Sequence, residues 1–331
     1  MQPMAGSIMP ADKKLNSREL VRLTMRGENP GRTPVYGWVG ANLKDELTEA
    51  FGSVENFEDK YEFDMAHIFT KVSPYDYGSI DPKDEITPEM ALEMTLGDLN
   101  DLDKYESVIT QLKHHKERGR FCYIQTPGFF ECMNGVFGIE NSLLYLALYP
   151  EETKELYKRQ AEWDIKFAEN MIELGVDGIH ISDDWGSQNA LMFSVPMWRD
   201  MIFPYHKAVA DAVKKYDVLL SLHSDGCVRP VLDGIVEIGY DFMHPWQENS
   251  NMPYSLYLDK YSDKFGILGG LCIQSALGFN DIGKVKSEID RFFGLLKGKR
   301  WAFCTTHFVQ DHCSIDELTA AYDYAVSLAR K

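Results

Sequence analysis

Short apolar runs alternate along the chain with longer stretches in which apolar residues recur every third or fourth position. The runs are rich in β-branched and aromatic residues, which is typical of buried β-strands. The longer stretches have the period of amphipathic helices, as over Pro150–Leu174, Pro196–Tyr216 and Asn280–Leu296. The pattern predicts eight strands, at Pro34–Val39, Asp64–Phe69, Phe121–Thr126, Val176–Ser182, Val218–Leu222, Asp241–Pro245, Phe265–Gly270 and Trp301–Thr305.

Strands that alternate with helices indicate parallel βαβ units, and eight such units predict a closed (βα)8 barrel, the TIM-barrel architecture of the α/β class. A doubly wound sheet would also alternate strands and helices, but no GxGxxG turn follows any predicted strand. Thr70–Lys116 lacks a clear strand pattern and is expected to be an insertion with its own helices after the second strand. No linker divides the chain, so residues 16–331 are expected to form one domain behind a disordered tail at residues 1–15.

The composition excludes several classes of protein. The chain has 331 residues, of which 44% are hydrophobic, so it can bury a large core. Its formal charge of −17 and isoelectric point near 5.0 argue against a nucleic-acid or anionic-membrane surface, because both need clustered Lys and Arg. The six cysteines form no CxxC pair, and no apolar run approaches the ~18 residues that span a bilayer. We therefore expect a cytoplasmic protein with reduced thiols.

Polar and aromatic residues are concentrated directly after the predicted strands. In a parallel barrel these positions meet at one mouth, where catalytic residues lie. The candidates are Gln125, Phe129 and Glu131 after the third strand, Asp183, Asp184, Trp185 and Gln188 after the fourth, His223 and Asp225 after the fifth, Trp246, Gln247 and Glu248 after the sixth, Cys272 and Gln274 after the seventh, and Cys304, His307 and Gln310 after the eighth.

Some of these residues can bind a metal ion. Nitrogen and oxygen ligands with an open position would suit zinc acting as a Lewis acid. Without a metal, His223 and Asp183 can serve as general acid and base. Simple structural roles are also open: Asp184 can be the N-cap of the next helix, and His180 and His244 lie inside their strands as core or supporting residues. The metal-binding candidates, which come from three strand ends, are His223, Asp225, Glu248 and His307.

Several blocks of sequence, in a fixed order, carry a family resemblance. They are NSRELVRLTMRGENPGRTPVY, ELGVDGIHISDDWGSQNALMFSVPMWRDMIFPYHK, LLSLHSDGCVRPVLDGIVEIGYDFMHPWQ, FGILGGLCIQ and CTTHFVQDHCSIDELTAAY. Their order and spacing resemble the uroporphyrinogen decarboxylase superfamily, from about Asn16 to the C-terminus. The resemblance implies a (βα)8 barrel, in agreement with the strands predicted independently.

The superfamily has two main chemistries. Its decarboxylases remove acetate carboxyls from a polyanionic tetrapyrrole without a cofactor, and they rely on an Arg-rich N-terminal loop of the RQAGR type. The corresponding stretch here, VYGWVGANL after Pro34, contains no Arg, so this activity is not favoured. The other branch comprises methyltransferases that work with corrinoid proteins, including coenzyme M methyltransferases and O-demethylases.

The resemblance also implies a zinc site, with differences in its ligands. Coenzyme M members bind zinc through a His-x-Cys pair and a later Cys. This chain has His223, but Asp225 stands at the first Cys position and His307, or with a gap Cys304, at the last. Such a site leaves zinc a harder Lewis acid than thiolates do, which suits an ether oxygen. The implied ligands are His223, Glu248 and His307, with Asp225 as a fourth ligand or behind them.

We therefore expect transfer of a methyl group from a methoxylated, aromatic small molecule to the cob(I)alamin of a separate corrinoid protein. The cobalamin must arrive on another chain, because the DxHxxG pattern that supplies a cobalt ligand is absent. The expected catalytic residues are His223 and Asp183 or Asp184, which would protonate or orient the leaving oxygen. Aromatic walls suit a stacked ring, although the same side chains can simply pack the mouth. The expected substrate-binding residues are Trp38, Phe129, Trp185, Gln188, Trp246, Gln247 and Cys272.

Two other functions stay open. One is a metal-free decarboxylase of a small or tetrapyrrole acid, in which Asp183 and His223 would move protons. It predicts basic residues at the mouth, where Arg229 is the one Arg near a strand end. The other is a non-catalytic partner subunit, which the cluster of ionisable groups disfavours. A homodimer is compatible with either enzyme.

Overall fold

The centre of the protein is a curled parallel sheet of seven strands, each paired with the next in chain order. The computed structural model describes residues 15–75 and 85–331. Nearly all strand residues are buried, which explains why their sequences are continuous apolar runs. The fold is α/β and TIM-barrel-like. Its strands are β1 (Met65–Ile68), β2 (Phe121–Pro127), β3 (Gly178–Ser182), β4 (Leu219–His223), β5 (Phe242–His244), β6 (Gly266–Leu271) and β7 (Trp301–Thr305).

Helices connect the strands. Short 3-10 helices lie at Leu102–Tyr105 and Arg229–Val231. The α-helices of the described residues are α1 (Ser17–Met25), α2 (Lys44–Phe51), α3 (Val54–Lys60), α4 (Pro88–Leu92), α5 (Glu106–Glu117), α6 (Phe129–Phe137), α7 (Ile139–Leu148), α8 (Pro150–Leu174), α9 (Val195–Met201), α10 (Phe203–Val213), α11 (Leu232–Ile238), α12 (Tyr254–Lys260), α13 (Ile282–Leu296) and α14 (Ile315–Ala329).

The predicted helices differ in how well they match the structure. Pro150–Leu174 is confirmed at both ends as α8. The stretch Pro196–Tyr216 is instead two helices, α9 and α10, which meet at Ile202. Pro204 explains the break, since it has no N–H to donate and its ring crowds the preceding turn. The third prediction becomes α13, which begins after Asp281, whose side chain accepts a hydrogen bond from the Lys284 N–H.

The first predicted strand, Pro34–Val39, is not a strand in the structure. Val35 forms an isolated bridge with Phe303 of β7. On its other side, the Val35 carbonyl accepts a hydrogen bond from the Asp64 N–H, just before β1, at 2.9 Å. The segment thus links both edges of the sheet, and the Tyr36 N–H and Pro34 carbonyl also bond to the backbone of Phe303, at 2.8 and 2.9 Å. Side chains take other backbone groups of the segment. Asp64 accepts from the Val35 N–H at 2.9 Å, and the Tyr322 hydroxyl donates to the Tyr36 carbonyl at 3.0 Å.

The segment Thr70–Lys116 includes an ordinary part of the fold. Helix α5 packs against β1 and β2, as the crossover helix of a βαβ unit does, whereas α4 packs against α8. Residues 76–84 of this segment, and residues 1–14 of the expected tail, lie outside the described residues. Within the described ranges, every helix is too short or too polar to cross a bilayer.

Candidate active site at the carboxyl ends of the strands

The ends of β4 and β7 bring two histidines and an aspartate together. His223 is the last residue of β4, Asp225 follows two positions later, and His307 lies two positions after β7. One nitrogen or oxygen atom from each residue lies within 4.8 Å of the others. The Nε2 atom of His307 is 3.7 Å from Oδ2 of Asp225. These three residues, which we call the His-Asp-His group, are three of the four metal-binding candidates predicted from the sequence.

A second histidine fixes the tautomer of His223. The Nε2 atom of His244 lies 3.0 Å from the Thr305 carbonyl, which can only accept, so this nitrogen carries a proton. Burial holds the pKa of His244 well below its ordinary value, so its Nδ1 is an acceptor. His223 Nδ1, 2.9 Å away, must then donate. The lone pair of His223 is therefore on Nε2, the nitrogen 3.7 Å from Oδ1 of Asp184.

Trp38 lies at the centre of a cluster of imidazole rings inside the barrel. Its indole Nε1 donates to the Tyr123 hydroxyl at 2.8 Å, and Phe308 packs over it with ring centroids 4.6 Å apart. Because burial penalises imidazolium, the pKa values of both His67 and His223 are lowered to about 3. The rings are therefore neutral and suited to bind metal or accept protons. The histidines within 6.3 Å of the Trp38 ring are His67, His180, His223, His244 and His307.

Neighbouring loops position Asp225. Its backbone N–H donates to Oδ1 of Asp184 at 2.8 Å, which ties the loop after β4 to the loop after β3. The side chain of Gln247 donates to Oδ1 of Asp225 at 2.9 Å and accepts from the Gly226 N–H at 2.6 Å. Gln247 therefore supports the His-Asp-His group. Burial, with a contribution from the charge of Asp184, raises the pKa of Asp225 to about 7.

Two further carboxyls share this environment. Burial raises the pKa of Asp184, and the charge of Asp183 adds to the effect. Burial also raises the pKa of Glu131 to about 8, opposed by the hydrogen bond that Ser182 donates to it at 2.6 Å. The charges of Asp184, Asp183 and Asp225 raise it further. Such crowding of carboxyls next to neutral imidazoles favours a bound cation or shared protons.

Asp183 lies in the protein interior behind the mouth, where its carboxylate holds neighbouring segments together. The residue is completely buried, and both carboxylate oxygens accept hydrogen bonds. Oδ1 accepts from the Glu131 N–H at 2.8 Å, while Oδ2 accepts from Trp185 Nε1 at 2.8 Å and lies 2.7 Å from His206 Nε2. Its predicted role in catalysis is therefore corrected: Asp183 holds the start of α6 and the loop after β3.

Phe129 and Trp185 also lie away from a substrate. Both are fully buried, and both pack against His206, with ring centroids 5.0 Å and 4.9 Å away. Trp185 further contacts Trp198. Neither exposes surface in this structure, so a role as substrate walls remains a prediction that their burial does not support. They pack beneath the residues of the mouth and contact His206, which lies beside Asp183.

Glu248 lies apart from the His-Asp-His group. Its carboxylate pairs with Arg291 at 2.7 Å, and Arg291 also pairs with Glu288. A carboxylate already neutralised by a guanidinium is a poor metal ligand, so Glu248 is removed from the predicted ligand set. These residues line a cavity of about 250 Å³ together with Trp246 and Cys272, two of the predicted substrate-binding residues.

Gln188 and Cys304, two further candidates from the sequence, both lie outside the His-Asp-His group. Gln188 is exposed and donates to the Asn249 carbonyl at 3.2 Å. Cys304 is fully buried in β7 and is absent from the metal-binding group among the described residues. His244, expected as a core or supporting residue, contacts His223, and Glu131, a candidate with no assigned role, lies among the carboxyls near Asp184 and Asp225. The available signals were a histidine at the end of β5 and a carboxyl in the segment after β2.

The curled parallel sheet and the ionisable groups at its mouth define a TIM-barrel-like enzyme of the α/β class. Residues 130–324 match the family model of uroporphyrinogen decarboxylase (URO-D), which covers more than half of the chain. The chain belongs to this family.

Solved structures were compared with the chain. The methyltransferase from Methanosarcina mazei is similar with a TM-score of 0.68 and 12% sequence identity, covering 95% of this chain and 99% of that chain. A B12-independent methionine synthase from Shewanella gives a TM-score of 0.46 and 12% identity, covering 67% of this chain and 65% of that chain. No curated protein matches the chain. At this identity the first likeness shows a common fold.

Proposed function

We propose that this protein transfers a methyl group from a methoxylated aromatic small molecule to the cob(I)alamin of a separate corrinoid protein. The observation that carries the proposal is the His-Asp-His group, in which His223 Nε2 offers a lone pair. Membership of a superfamily that includes corrinoid methyltransferases supports the class of reaction, as does the fold shared with a methyltransferase.

The His-Asp-His group fits zinc as a donor set. His223 and His307 would supply neutral nitrogen ligands and Asp225 an oxygen, which leaves an open position for substrate. The raised pKa of Asp225 reflects burial and the nearby charge of Asp184, and a cation would relieve both penalties. A bound zinc would act as a Lewis acid toward the ether oxygen, for which this site is better suited than a thiolate site.

Residues beside the group can provide the proton that the leaving oxygen needs. An aryl oxygen departs as an anion when its methyl group is taken by a nucleophile, so a donor lowers the barrier. Burial raises the pKa of Glu131 to about 8, which favours its protonated form near neutral pH. Asp184, 3.7 Å from His223 Nε2, shares its electrostatic environment. We assign the proton to this pair of carboxyls.

A metal-free decarboxylase is the second candidate. It is favoured by the position of Glu131, a carboxyl near Asp183, Asp184 and Asp225 whose pKa burial raises to about 8, as suits a group that donates a proton. Against it stands Arg291, a guanidinium of the cavity beside β6 that is already paired with Glu248 and Glu288 and so is less available to a substrate carboxylate. This reaction would use Glu131 and His223 to move protons and would need no metal.

Metal content and methyl transfer test the proposal together. We would measure zinc per chain by plasma mass spectrometry in the wild type, His223→Ala and His312→Ala. His312 is an exposed histidine outside the His-Asp-His group and is the matched control. Methylcobalamin formation would then be followed by absorbance with cob(I)alamin and methoxylated aromatics.

We expect near-stoichiometric zinc in the wild type and His312→Ala, and its loss in His223→Ala together with methyl transfer. Equal zinc in all three proteins would remove His223 from the ligand set. A protein without zinc that releases carbon dioxide from an acid, and forms no methylcobalamin, would establish the decarboxylase instead.

A further inference from the structure

His67 is a buried imidazole whose hydrogen-bonding capacity is unused. It is the third residue of β1 and is 7% exposed. Neither ring nitrogen has a hydrogen-bond partner among the described residues. Leaving a buried donor and acceptor unpaired costs free energy, so such a group in a native protein calls for a ligand or water.

Two adjoining cavities open onto His67. One has a volume of about 410 Å³ and the other about 230 Å³, and both are lined by His67, Phe69 and Phe308. Trp38 lines the larger cavity, and Gln125 and Pro127, at the end of β2, line the smaller. The cavities therefore lie at the end of the sheet where the carboxyl ends of the strands meet, next to β1 and β2.

The surroundings of His67 are aromatic and suit a flat ring. Tyr123 stacks on His67 with centroids 4.9 Å apart and planes 7° apart. The ring of Phe69 packs against the His67 imidazole with centroids 4.4 Å apart. Phe69 is nevertheless 56% exposed, which is unusual for a large apolar side chain. Its backbone is held in place by Gln111, which donates to the Phe69 carbonyl and accepts from its N–H at 2.8 and 2.9 Å. Phe69 is thus a fixed, open stacking surface.

The charges around the larger cavity favour an uncharged ligand. Its lining includes one lysine, Lys44, and two glutamates, Glu55 and Glu58. Glu58 is paired with Arg120 at 2.6 Å, which leaves no net positive charge for a carboxylate. His67 adds none, because burial keeps its imidazole neutral, with a pKa of about 3.

The geometry points to a pocket for an uncharged aromatic ring at the carboxyl end of β1, in which His67 hydrogen-bonds a polar substituent such as a phenolic hydroxyl. The identity of this ring as the methyl donor rests on the proposed function. Phe308 connects the two sites, since it lines both cavities and its ring lies 5.3 Å from that of His307. A ring between Phe69 and Phe308 would direct one edge toward the His-Asp-His group.

Isothermal titration with three ring compounds tests the pocket directly. The probes are 2-methoxyphenol, methoxybenzene, which lacks the hydroxyl, and 4-hydroxy-3-methoxybenzoate, which adds a carboxylate. We expect the wild type to bind 2-methoxyphenol about 5- to 10-fold more tightly than methoxybenzene, as for one net hydrogen bond. The benzoate should bind more weakly than 2-methoxyphenol.

Two variants assign the preference to His67. His67→Phe keeps a ring in the stack but removes both polar atoms, so the preference for the hydroxyl should disappear. His67→Gln keeps a donor and an acceptor and should retain part of it. Circular dichroism and the thermal unfolding midpoint confirm that each variant folds. An unchanged preference in His67→Phe, equal binding of the two uncharged probes by the wild type, or tighter binding of the benzoate would each overturn the proposal.

The same titration in His223→Ala separates this inference from the proposed function. Ring binding that persists in a variant without zinc or methyl transfer establishes the pocket independently of the reaction. Loss of ring selectivity in a protein that still transfers methyl groups would instead refute the pocket and leave the reaction intact.

Discussion

The Nδ1 atoms of His223 and His244 lie 2.9 Å apart, and the Thr305 carbonyl beyond His244 decides which of them carries the proton. Because the Thr305 carbonyl oxygen can only accept a hydrogen bond, just one placement of the protons on the two neutral imidazoles satisfies both contacts. The result is a His223 whose Nε2 faces Asp184 with its lone pair free. A backbone carbonyl of β7 thus fixes the tautomer of His223 on β4 through His244 on β5.

His244→Phe should weaken zinc binding by about 10- to 100-fold, because His223 loses the acceptor that fixes its tautomer and orientation. Affinity is measured by competition with a fluorescent chelator. His180→Phe is the matched control, since His180 is equally buried inside the barrel but contacts the Ser221 hydroxyl at 2.7 Å. Equal losses of affinity in the two variants would mean that burial of a polar ring, rather than the tautomer, is responsible.

Zinc affinity should fall as the pH decreases through about 7, because a proton then competes for Asp225, whose pKa is raised to about 7. Asp225→Asn should bind zinc more weakly and lose the pH dependence in this range. Glu248→Gln should behave like the wild type, since Glu248 pairs with Arg291. A larger loss of zinc in Glu248→Gln than in Asp225→Asn would restore the ligand set expected from the sequence.

Glu131→Gln should stabilise the protein more at high pH than at low pH. The pKa of Glu131 is about 8 in the folded chain and ~4.3 when unfolded, so the folded state holds the extra proton between these values. Stability from this group therefore falls as the pH rises through that window. We expect the gain in unfolding temperature to be about 2 °C larger at pH 8.5 than at pH 5.

Thermal unfolding followed by circular dichroism, for the wild type and Glu131→Gln at both pH values, measures this difference. Glu140→Gln, at an exposed position in α7, is the control and should show no such trend. A gain for Glu131→Gln that is the same at both pH values would show that Glu131 is ionised throughout and cannot supply a proton near neutral pH.

Asp183→Asn should lower the free energy of unfolding by about 3 kcal/mol, since an amide places a donor among the groups that donate to the carboxylate. Asp184→Asn should cost much less stability, because Asp184 is partly exposed and accepts one backbone hydrogen bond. Urea titration measures both. The rate of methyl transfer should show the opposite order. Asp184→Asn should slow it more than Asp183→Asn when the two variants are compared at conditions where both are fully folded.

Two adjacent residues illustrate the limit of reasoning from sequence. Asp183 and Asp184 follow β3 together, and the sequence does not distinguish them. In the structure, Asp183 turns inward to His206 and Trp185, while Asp184 turns toward His223 and Asp225. Successive residues after a strand point in opposite directions, so the partner on another helix decides which one reaches the mouth.

Local patterns determined the seven strands and α8. Buried parallel strands need continuous β-branched and aromatic runs, and a long helix needs apolar residues at its own period. The order of these elements also placed His223, Asp225 and His307 at one edge, because parallel strands end on the same side. These features depend on residues close together in sequence.

Contacts between distant residues decided the rest. Pro34–Val39 has the composition of a strand, yet it forms only an isolated bridge with Phe303, and the side chains of Asp64 and Tyr322 bond to other backbone groups of the segment. Glu248 follows a strand as a ligand would, yet Arg291 on α13 pairs with it. A hydrogen bond or ion pair goes to whichever partner the folded chain brings within about 3 Å, and that partner is set by packing rather than by neighbouring sequence.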